Sequence, residues 1–450
     1  MSSKGKLPAA TRGESALVPK LRFPEFKEAE EWALLPMGEI YSFGSNNSLS
    51  REKLNYSSGS IKNVHYGDIH TKFSSHFYIT KEIVPYVNEA ELGSLREGSF
   101  CREGDLILAD ASEDLADIGK CMEITYLNNE KVVAGLHTIL AHPTKKQVAV
   151  GFGGHLFQSV SVRRQVQREA QGAKVLGISP RRLQDIRLPL PSHPEQQKIA
   201  DCLASTDALI EAQGRKVEAL KAHKKGLLQQ LFPQEGETQP RLRFPEFREA
   251  GEWKLDNFAD LIFFQEGPGI MAVEFHDEGV PLVRLSGLIE RSVSLKGCNH
   301  LDPEKVAKKW SHFRLEVGDI LVSCSASLGR PAIVDEVAAG AVFYTGLIRF
   351  KPKNTRLDVS YLEVFLGSPF FQRQAESAAV GGGIKHFGPS HLRQMKAPRP
   401  PNISEQKRIA DCLTSIDGLI AVEARKLNTL KTHKKGLLQQ LFPRVGEVNA

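Results

Sequence analysis

A chain of 450 residues, 41% hydrophobic and 25% charged, has the composition of an ordinary globular protein with room for two or three cored domains, which excludes the disordered and fibrous classes. Its formal net charge of +6 suits a polyanionic partner without requiring one. No apolar run approaches the roughly 18 residues of a membrane span, and Met1 to Ser15 lacks the apolar core of a signal peptide, so a cytoplasmic protein without membrane contact is expected.

Residues 1–20 read as an N-terminal tail. The first block after it, LRFPEFKEAEEW at Leu21 to Trp32, returns as LRFPEFREAGEW at Leu242 to Trp253. A longer block, Glu195 to Pro233, returns at Glu405 to Pro443 with 26 of 39 positions identical, and both copies end in KKGLLQQLFP. The two offsets, 221 and 210, differ by 11, so the bodies between the repeats differ in length. Internal repetition of this kind dictates architecture before any local pattern does. Two alike frames enclose two unlike bodies, which suits a molecule that holds two different readers in one geometry. The Leu21 to Trp32 and Leu242 to Trp253 blocks serve either as packing braces at the entrance to each body or as docking surfaces.

The first body falls within an expected domain at residues 21–192. Its loop from Ser48 to His70 is polar and basic, and Ser48, Arg51, Lys53, Lys62, Asn63, His65 and Tyr66 are side chains able to reach phosphates and base edges. REGDLILAD, from Arg102 to Asp110, places a Gly-Asp pair before an apolar run suited to a buried strand, and Ile118 to Lys120 (IGK) follows. The glycines of VGFGGHL, Val150 to Leu156, read as a turn before a helix over Phe157 to Gln171 rather than as a cofactor loop.

Residues 193–233 carry a seam in alternating steps of four and three, apolar at Ile199, Leu203, Ile210, Val217, Leu220, Leu227 and Leu231 and polar at Thr206, Gln213 and Lys224. Residues 403–443 repeat the pattern with Ile409, Leu413, Ile416, Ile420, Leu427, Leu430, Leu437 and Leu441. A seam sustained over more than four heptads predicts coiled-coil helices. Pro194 and Ser404 stand at their starts, and Pro233 and Pro443 stop them. A helix of about 38 residues runs about 57 Å, and the nearest partner for each is the other copy. Polar residues at matched seam positions, Gln213 and Glu423, Lys224 and Lys434, weaken packing but fix register. The basic clusters around Lys224 and Lys434 read as solvated faces that could also meet phosphate or an acidic surface.

After a linker at 234–241, the second body occupies residues 242–402. EVGDILVSC, from Glu316 to Cys324, repeats the Gly-Asp punctuation, LGR at Leu328 to Arg330 echoes IGK, and a helical stretch is expected over Val359 to Ala378. Gln265, Arg284, Ser286, Lys385 and His386 lie on glycine-loosened loops and are its candidates for DNA contact. Residues 444–450 form a C-terminal tail; LFPRVGE there resembles LFPQEGE between the repeats, giving a circular-like layout. The expected class is α+β: two small α/β domains alternating with two long helices paired as an antiparallel coiled coil under a pseudo-twofold axis.

Of the six cysteines, Cys202 and Cys412 occupy matched places in IADCL and read as small buried hydrophobes; no CxxC pair or zinc-ligand spacing is present, and no metal site is expected. The sequence also lacks a GxxxxGK[ST] loop, HExxH, GxSxG and any Pro-Pro-aromatic tetrapeptide of amino-group methylation. Catalytic chemistry is therefore not expected, which disfavours a methyltransferase or nuclease acting alone. A coiled-coil scaffold that binds proteins rather than DNA remains the competing reading.

The alternation of two variable bodies with two repeated helices, each introduced by a proline-rich strand end and an EQ-(x)2-IA-(x)2-L pattern (PLPSHPEQQKIADCL at Pro189 to Leu203, PRPPNISEQKRIADCL at Pro398 to Leu413), resembles the specificity subunit of type I restriction-modification systems over essentially the whole chain. HYGDIH at His65 to His70 and GPGI at Gly267 to Ile270 also resemble segments of that family's target-recognition domains. The resemblance implies a DNA reader without a catalytic site, cofactor or metal of its own. In such systems each variable domain reads one half of a split double-stranded target and the helices set the unread gap. Methylation subunits, two of them, bring S-adenosylmethionine to an adenine flipped from the duplex, and restriction subunits bring ATP-driven translocation with Mg.

Overall fold

The computed structural model describes residues 17–144, 147–234, 236–289, 291–324, 331–378 and 388–445. Its contacts divide the chain into two compact units, Met1–Gln213 with Lys426–Ala450, and Gly214–Arg425. The division runs through the repeated helices rather than beside them, so each unit holds one variable body and a stretch of both helices.

The two bodies, unlike in sequence, share a topology. In the first unit a five-stranded sheet runs in the order Tyr41–Phe43, Thr138–Pro143, Leu106–Ala109, Cys121–Tyr126, His76–Tyr78, antiparallel except for the last pair. The second unit repeats order and sense with Ile262–Glu266, Leu347–Pro352, Ile320–Ser323, Ala332–Ile333 and Ser292–Val293, and adds Leu288–Ile289 at the edge. A smaller sheet is built on Ile61–Val64, parallel to Lys131–Ala134 and antiparallel to Tyr86–Val87. Its counterpart is built on Val280–Val283, parallel to Val342–Phe343 and antiparallel to Asn299–Leu301. A two-stranded ribbon in each unit joins the entrance strand to the strand before a repeated helix, Ala33–Pro36 with Arg187–Leu190 and Lys254–Asn257 with Lys396–Arg399.

The Gly-Asp punctuation has a local cause. Gly104 and Gly318 adopt φ of +90° and +86°, which glycine tolerates and other residues resist. The aspartate that follows turns its carboxylate back to accept the N–H of Arg102 (2.6 Å) or Glu316 (2.8 Å). Leu106–Ala109 and Ile320–Ser323 then enter the sheets fully buried, as the apolar runs predict.

Three local expectations are corrected. The first-body helix is two helices, Phe152–Gln158 and Val160–Glu169, broken where Ser159 turns extended at ψ 146°. Val359 to Ala378 likewise divides into Val359–Leu366 and Pro369–Ala378, because a residue before proline is pushed out of the helical region. In VGFGGHL only Gly151, at φ +91°, makes the turn; Gly153 and Gly154 are already helical. A Cβ on Gly154 would meet the Ser75 carbonyl oxygen at 2.7 Å and His76 Nε2 at 2.8 Å, so glycine there permits close packing.

The repeated helices, α1 (His193–Leu231) and α2 (Ile403–Leu441), are 39 residues each. In the first unit Ile199, Ala200 and Leu203 of α1 share a core with Leu437, Leu438 and Leu441 of α2, next to Trp32, Phe152 and Phe442. In the second, Leu227, Leu228 and Leu231 of α1 meet Ile409, Ala410 and Leu413 of α2. Lys216 bonds Glu423 and Lys224 bonds Asp417, so partner numbers fall as α1 advances and the packing is antiparallel. Seam residues Ile199, Leu203, Val217, Leu231, Ile409, Leu413, Ile416 and Leu441 are buried, and Ile210, Leu220, Leu227, Ile420, Leu427, Leu430 and Leu437 are half-buried. Cys202 and Cys412 are only half-buried, at the margin of the seam rather than in it.

The polar seam lysines fix register by the same ion pair formed twice. Lys224 binds both oxygens of Asp417 at 2.6 and 2.7 Å, and the repeat-equivalent Lys434 binds Asp207 at 2.6 Å. A double-mutant cycle on K224A and D417A is expected to give a coupling of about 0.5–1 kcal/mol by denaturant unfolding, modest because both side chains keep some solvent. The double reversal K224D/D417K should recover most of what K224D loses.

The short repeated blocks are braces. Arg22 forks onto both oxygens of Glu195 at 2.9 and 2.7 Å, and Trp32 Nε1 donates to the same carboxylate at 3.3 Å. In the second unit Arg243 forks onto Glu405 at 2.7 and 2.8 Å, with Trp253 Nε1 at 3.0 Å. Each brace fastens the chain entering a body to the first turn of the repeated helix that leaves it.

Candidate nucleic-acid interface

In both units candidate residues gather where the chain leaves the central strand of the smaller sheet. The N–H of Gly135 donates to the Val64 carbonyl at 2.9 Å, and that of Tyr344 to the Val283 carbonyl at 2.9 Å. His65 and Arg284, the next residues after Val64 and Val283, thus occupy the same topological place.

In the first unit the segment coils at once into the helix Tyr66–Thr71. His65 caps it, its Nδ1 accepting the N–H of Gly67 at 3.2 Å. Burial, helped by the nearby Arg51 charge, lowers the pKa of His65 and favours the neutral ring that this cap requires. Tyr66 is the hub of an aromatic cluster: His65 lies 4.7 Å from it between ring centroids, His137 5.2 Å and His70 5.9 Å. His70 Nε2–H donates to the Ala111 carbonyl at 3.0 Å, and His137 Nδ1 lies 3.1 Å from the Asp110 carboxylate. Asp68, buried in the first helical turn, holds Arg51 at 3.1 Å and Lys72 at 3.0 Å. Exposed Arg51 and Lys72, both held by Asp68, lie beside a cluster of tilted and edge-to-face rings in which Tyr66 is half-buried and His137 exposed. Such a face offers cations to phosphates and the His137 ring edge and Tyr66 phenol to bases.

The second unit fills the same place differently. Arg284 is exposed, with its guanidinium carbon 5.7 Å from the ring centroids of both Phe275 and Tyr344 and Nη1 donating to Asn299 at 3.2 Å. A guanidinium held against two aromatic faces loses little conformational freedom when it meets a base edge. Beside it in sequence, Leu285 and Ile289 are exposed, as are Met271 and Val273 in the segment that carries Phe275. Apolar side chains beside an arginine can contact thymine methyl groups. One unit thus presents the His137 imidazole and the Tyr66 phenol, the other an arginine set among apolar side chains.

The other sequence candidates are distributed unevenly. Ser48 and Ser286 are exposed. Lys53 is exposed and pairs with Glu91 at 2.9 Å. Lys62 is half-buried, held by Glu130 at 2.6 Å over the Tyr86 ring. Three candidates are corrected. His65 is buried, with its Nδ1 committed to the helix cap, so it supports the face rather than reaching out from it. Asn63 is wholly enclosed, because the end of Ile61–Val64 is covered on both faces, Val64 beside it being equally buried. Gln265 is half-buried and accepts a hydrogen bond from Arg349 Nη2 at 2.6 Å, which gives it a place in the fold. Lys385 and His386 lie outside the described residues. His137, Asp110, Phe275 and Tyr344 escaped the sequence reading, because strand pairing rather than sequence proximity brings them to the site.

Comparison with known proteins gives the chain a family. The model of the type I restriction modification DNA specificity domain matches residues 30–222 and 302–432. The type I restriction enzyme MjaVIII specificity subunit of Methanocaldococcus jannaschii is 25% identical over 298 residues, 64% of this chain and 69% of that protein. A putative type I restriction enzyme MjaX specificity subunit of the same organism is 24% identical over 351 residues, covering 75% and 77%. The fold is similar to the crystal structure of the S subunit of a type I restriction-modification system from M. genitalium, with a TM-score of 0.55 at 14% identity, covering 95% of this chain and 100% of that one. Two variable bodies on one topology, two repeated helices and a family match over most of the chain agree: the protein belongs to the type I restriction-modification DNA specificity family.

Proposed function

We propose that this chain reads a bipartite DNA target, one half-site per unit, and that its repeated helices set the unread gap. The observation that carries the proposal is the paired site after the central strand of the smaller sheet, one topological position filled once by His65 and Tyr66 and once by Arg284. A reader of one continuous motif has no need of two unlike faces on one repeated support. The chain supplies recognition and no chemistry. Double-stranded DNA is its ligand, and methylation and restriction subunits carry S-adenosylmethionine, ATP and Mg in a cytoplasmic complex.

Two methylation subunits fit the repeat. A groove lined by Arg164, Gln165, Arg187, Leu438 and Phe442 in the first unit has a counterpart lined by Phe370, Arg373, Gln374, His391 and Lys396 in the second. The grooves correspond because Gln165 clasps the backbone of Arg187 through both its N–H and carbonyl, and Gln374 clasps Lys396 in the same way. Equivalent surfaces on equivalent supports suit two copies of one partner.

Mapping N6-methyladenine across the host genome with and without this chain tests the reading. The expected result is one split motif, two short defined halves around a fixed unspecified gap, that loses methylation on deletion. If no motif changes while the partner subunits are expressed, the DNA-specifying role fails and a protein-binding scaffold takes its place.

A further inference from the structure

We infer that His76, His155 and Asp207, in the first unit, form a binding site for a divalent transition-metal ion, with Zn2+ the best match. The residues come from a strand, the short helix Phe152–Gln158 and α1, and one donor atom from each lies within 4.8 Å of the others. Their separation in the chain hid them from any search for ligand spacing. The proposal does not depend on how DNA is read.

His155 is the first observation. It is fully enclosed, and neither ring nitrogen meets a partner at hydrogen-bonding geometry, although the Gln158 side chain, its own oxygen unpartnered, lies beside it. An unpartnered buried imidazole is costly. His76 packs against it with ring centroids 4.0 Å apart; its Nε2 donates to the Gly151 carbonyl at 2.8 Å, the kind of backbone contact that fixes a metal-binding histidine, and its Nδ1, now 3.1 Å from Ser75 Oγ, would exchange that hydroxyl for the ion.

The second observation comes from the duplication. Asp417 is the repeat equivalent of Asp207, and strand Ser292–Val293 is the counterpart of His76–Tyr78. In the second unit two carboxylates, Glu363 and Asp417, meet two cations: Arg291 bonds Glu363 and lies 3.7 Å from Asp417, and Lys224 bonds Asp417. In the first unit Glu123 and Asp207 are also two carboxylates, Glu123 lying 4.0 Å from His76 and Asp207 bonded to Lys434. Lys434 is the one fixed cation among the described side chains of that cluster, and His76 opens the strand whose counterpart in the other copy is preceded by Arg291. A bound divalent ion supplies the cation that Arg291 supplies there.

N and O donors suit Zn2+, which holds them at about 2.1 Å and so roughly 3.4 Å apart in a tetrahedral site. Binding therefore draws the three side chains inward by about 1 Å, with water as the fourth ligand. Glu123 accepts the N–H groups of Gly151 (2.6 Å) and Gly154 (2.7 Å), which secures the turn that carries His155.

The test uses the untagged full-length chain, stripped with chelator and dialysed against Zn2+. Elemental analysis is expected to find about one Zn2+ per chain, and a hundredfold excess over Kd should raise Tm by about 5 °C, reversed by chelator. H155Q and H76Q should lose both the ion and the shift while keeping the far-UV spectrum; H76R, which imitates Arg291, should lose the ion. H137Q, away from the cluster, should retain it. If H155Q does not fold, H76Q and D207N carry the comparison. Absence of stoichiometric Zn2+ in the parent chain, or Zn2+ bound with parental affinity by folded H155Q and H76Q, overturns the assignment.

Discussion

Replacing Glu195 with alanine is expected to cost about 3–5 kcal/mol of stability, the range for removing one partner of a buried ion pair. The Arg22 side chain is 7% exposed and that of Glu195 1%, so little solvent is available to replace the missing carboxylate. Arg22 would keep only its bonds to the Ala29 and Glu30 carbonyls, both 2.9 Å, and Trp32 Nε1 would lose the carboxylate it now bonds. The cost spreads from there because Trp32 packs against Phe152 and Phe442, joining the entrance block to both the body and α2 within the first unit. Glu405→Ala should behave alike, since Arg243 and Trp253 hold the same fork. R22K is an informative control: it keeps the charge but not the two-pronged geometry and should cost less than E195A. Guanidinium unfolding followed by the fluorescence of Trp32, in a background with Trp253 and Trp310 replaced by phenylalanine, reads the effect. A loss below about 1 kcal/mol would mean that the brace behaves as an exposed surface pair.

Repetition carried most of the architecture, and physical pattern explains where the reading stopped. The heptad seam, the Gly-Asp strand starts and the proline stops are local signals, each dictated by residues near in sequence, and each is found where it was expected. The shared topology of the two bodies was invisible because sheet order is a long-range property: Lys131–Ala134 pairs with Ile61–Val64 across a stretch that holds three strands of the other sheet. The same limit governs the sites. HYGDIH was legible as a polar loop, and Tyr66 lies at the cluster's centre, but His137 reaches it only through strand pairing. Asn63 shows the opposite failure: a polar residue in a polar stretch reads as exposed, but both faces of the strand are covered at that end. The helix breaks at Ser159 and Ser368 are not legible in the sequence because continuous helical propensity masks a single extended residue or a following proline.

Arg284→Ala is expected to relax recognition in one half-site while leaving the other unchanged. A side chain that reads a base edge contributes about 1–3 kcal/mol of discrimination, so methylation or binding should lose roughly 5- to 150-fold preference at a single base position. Phe275 and Tyr344 hold the guanidinium from two faces, and F275A should give a weaker effect at the same position because it removes the support and leaves the reader. Tyr66→Ala, which takes the hub from the His65, His70 and His137 cluster, should alter only the opposite half-site. Lys72→Ala supplies the contrast. Lys72 is exposed, paired with Asp68 at 3.0 Å and set over the Tyr56 ring, a place suited to phosphate rather than to a base. Its loss should weaken binding to all sequences alike and lower the salt slope by about one unit. Motif mapping of each variant, with binding measured at two salt concentrations, separates these outcomes. Should Arg284→Ala and Tyr66→Ala both blur the same half-site, or should either act on all sequences equally, the assignment of one half-site to each unit is wrong, and the two topologically matched faces must contribute to one continuous contact instead.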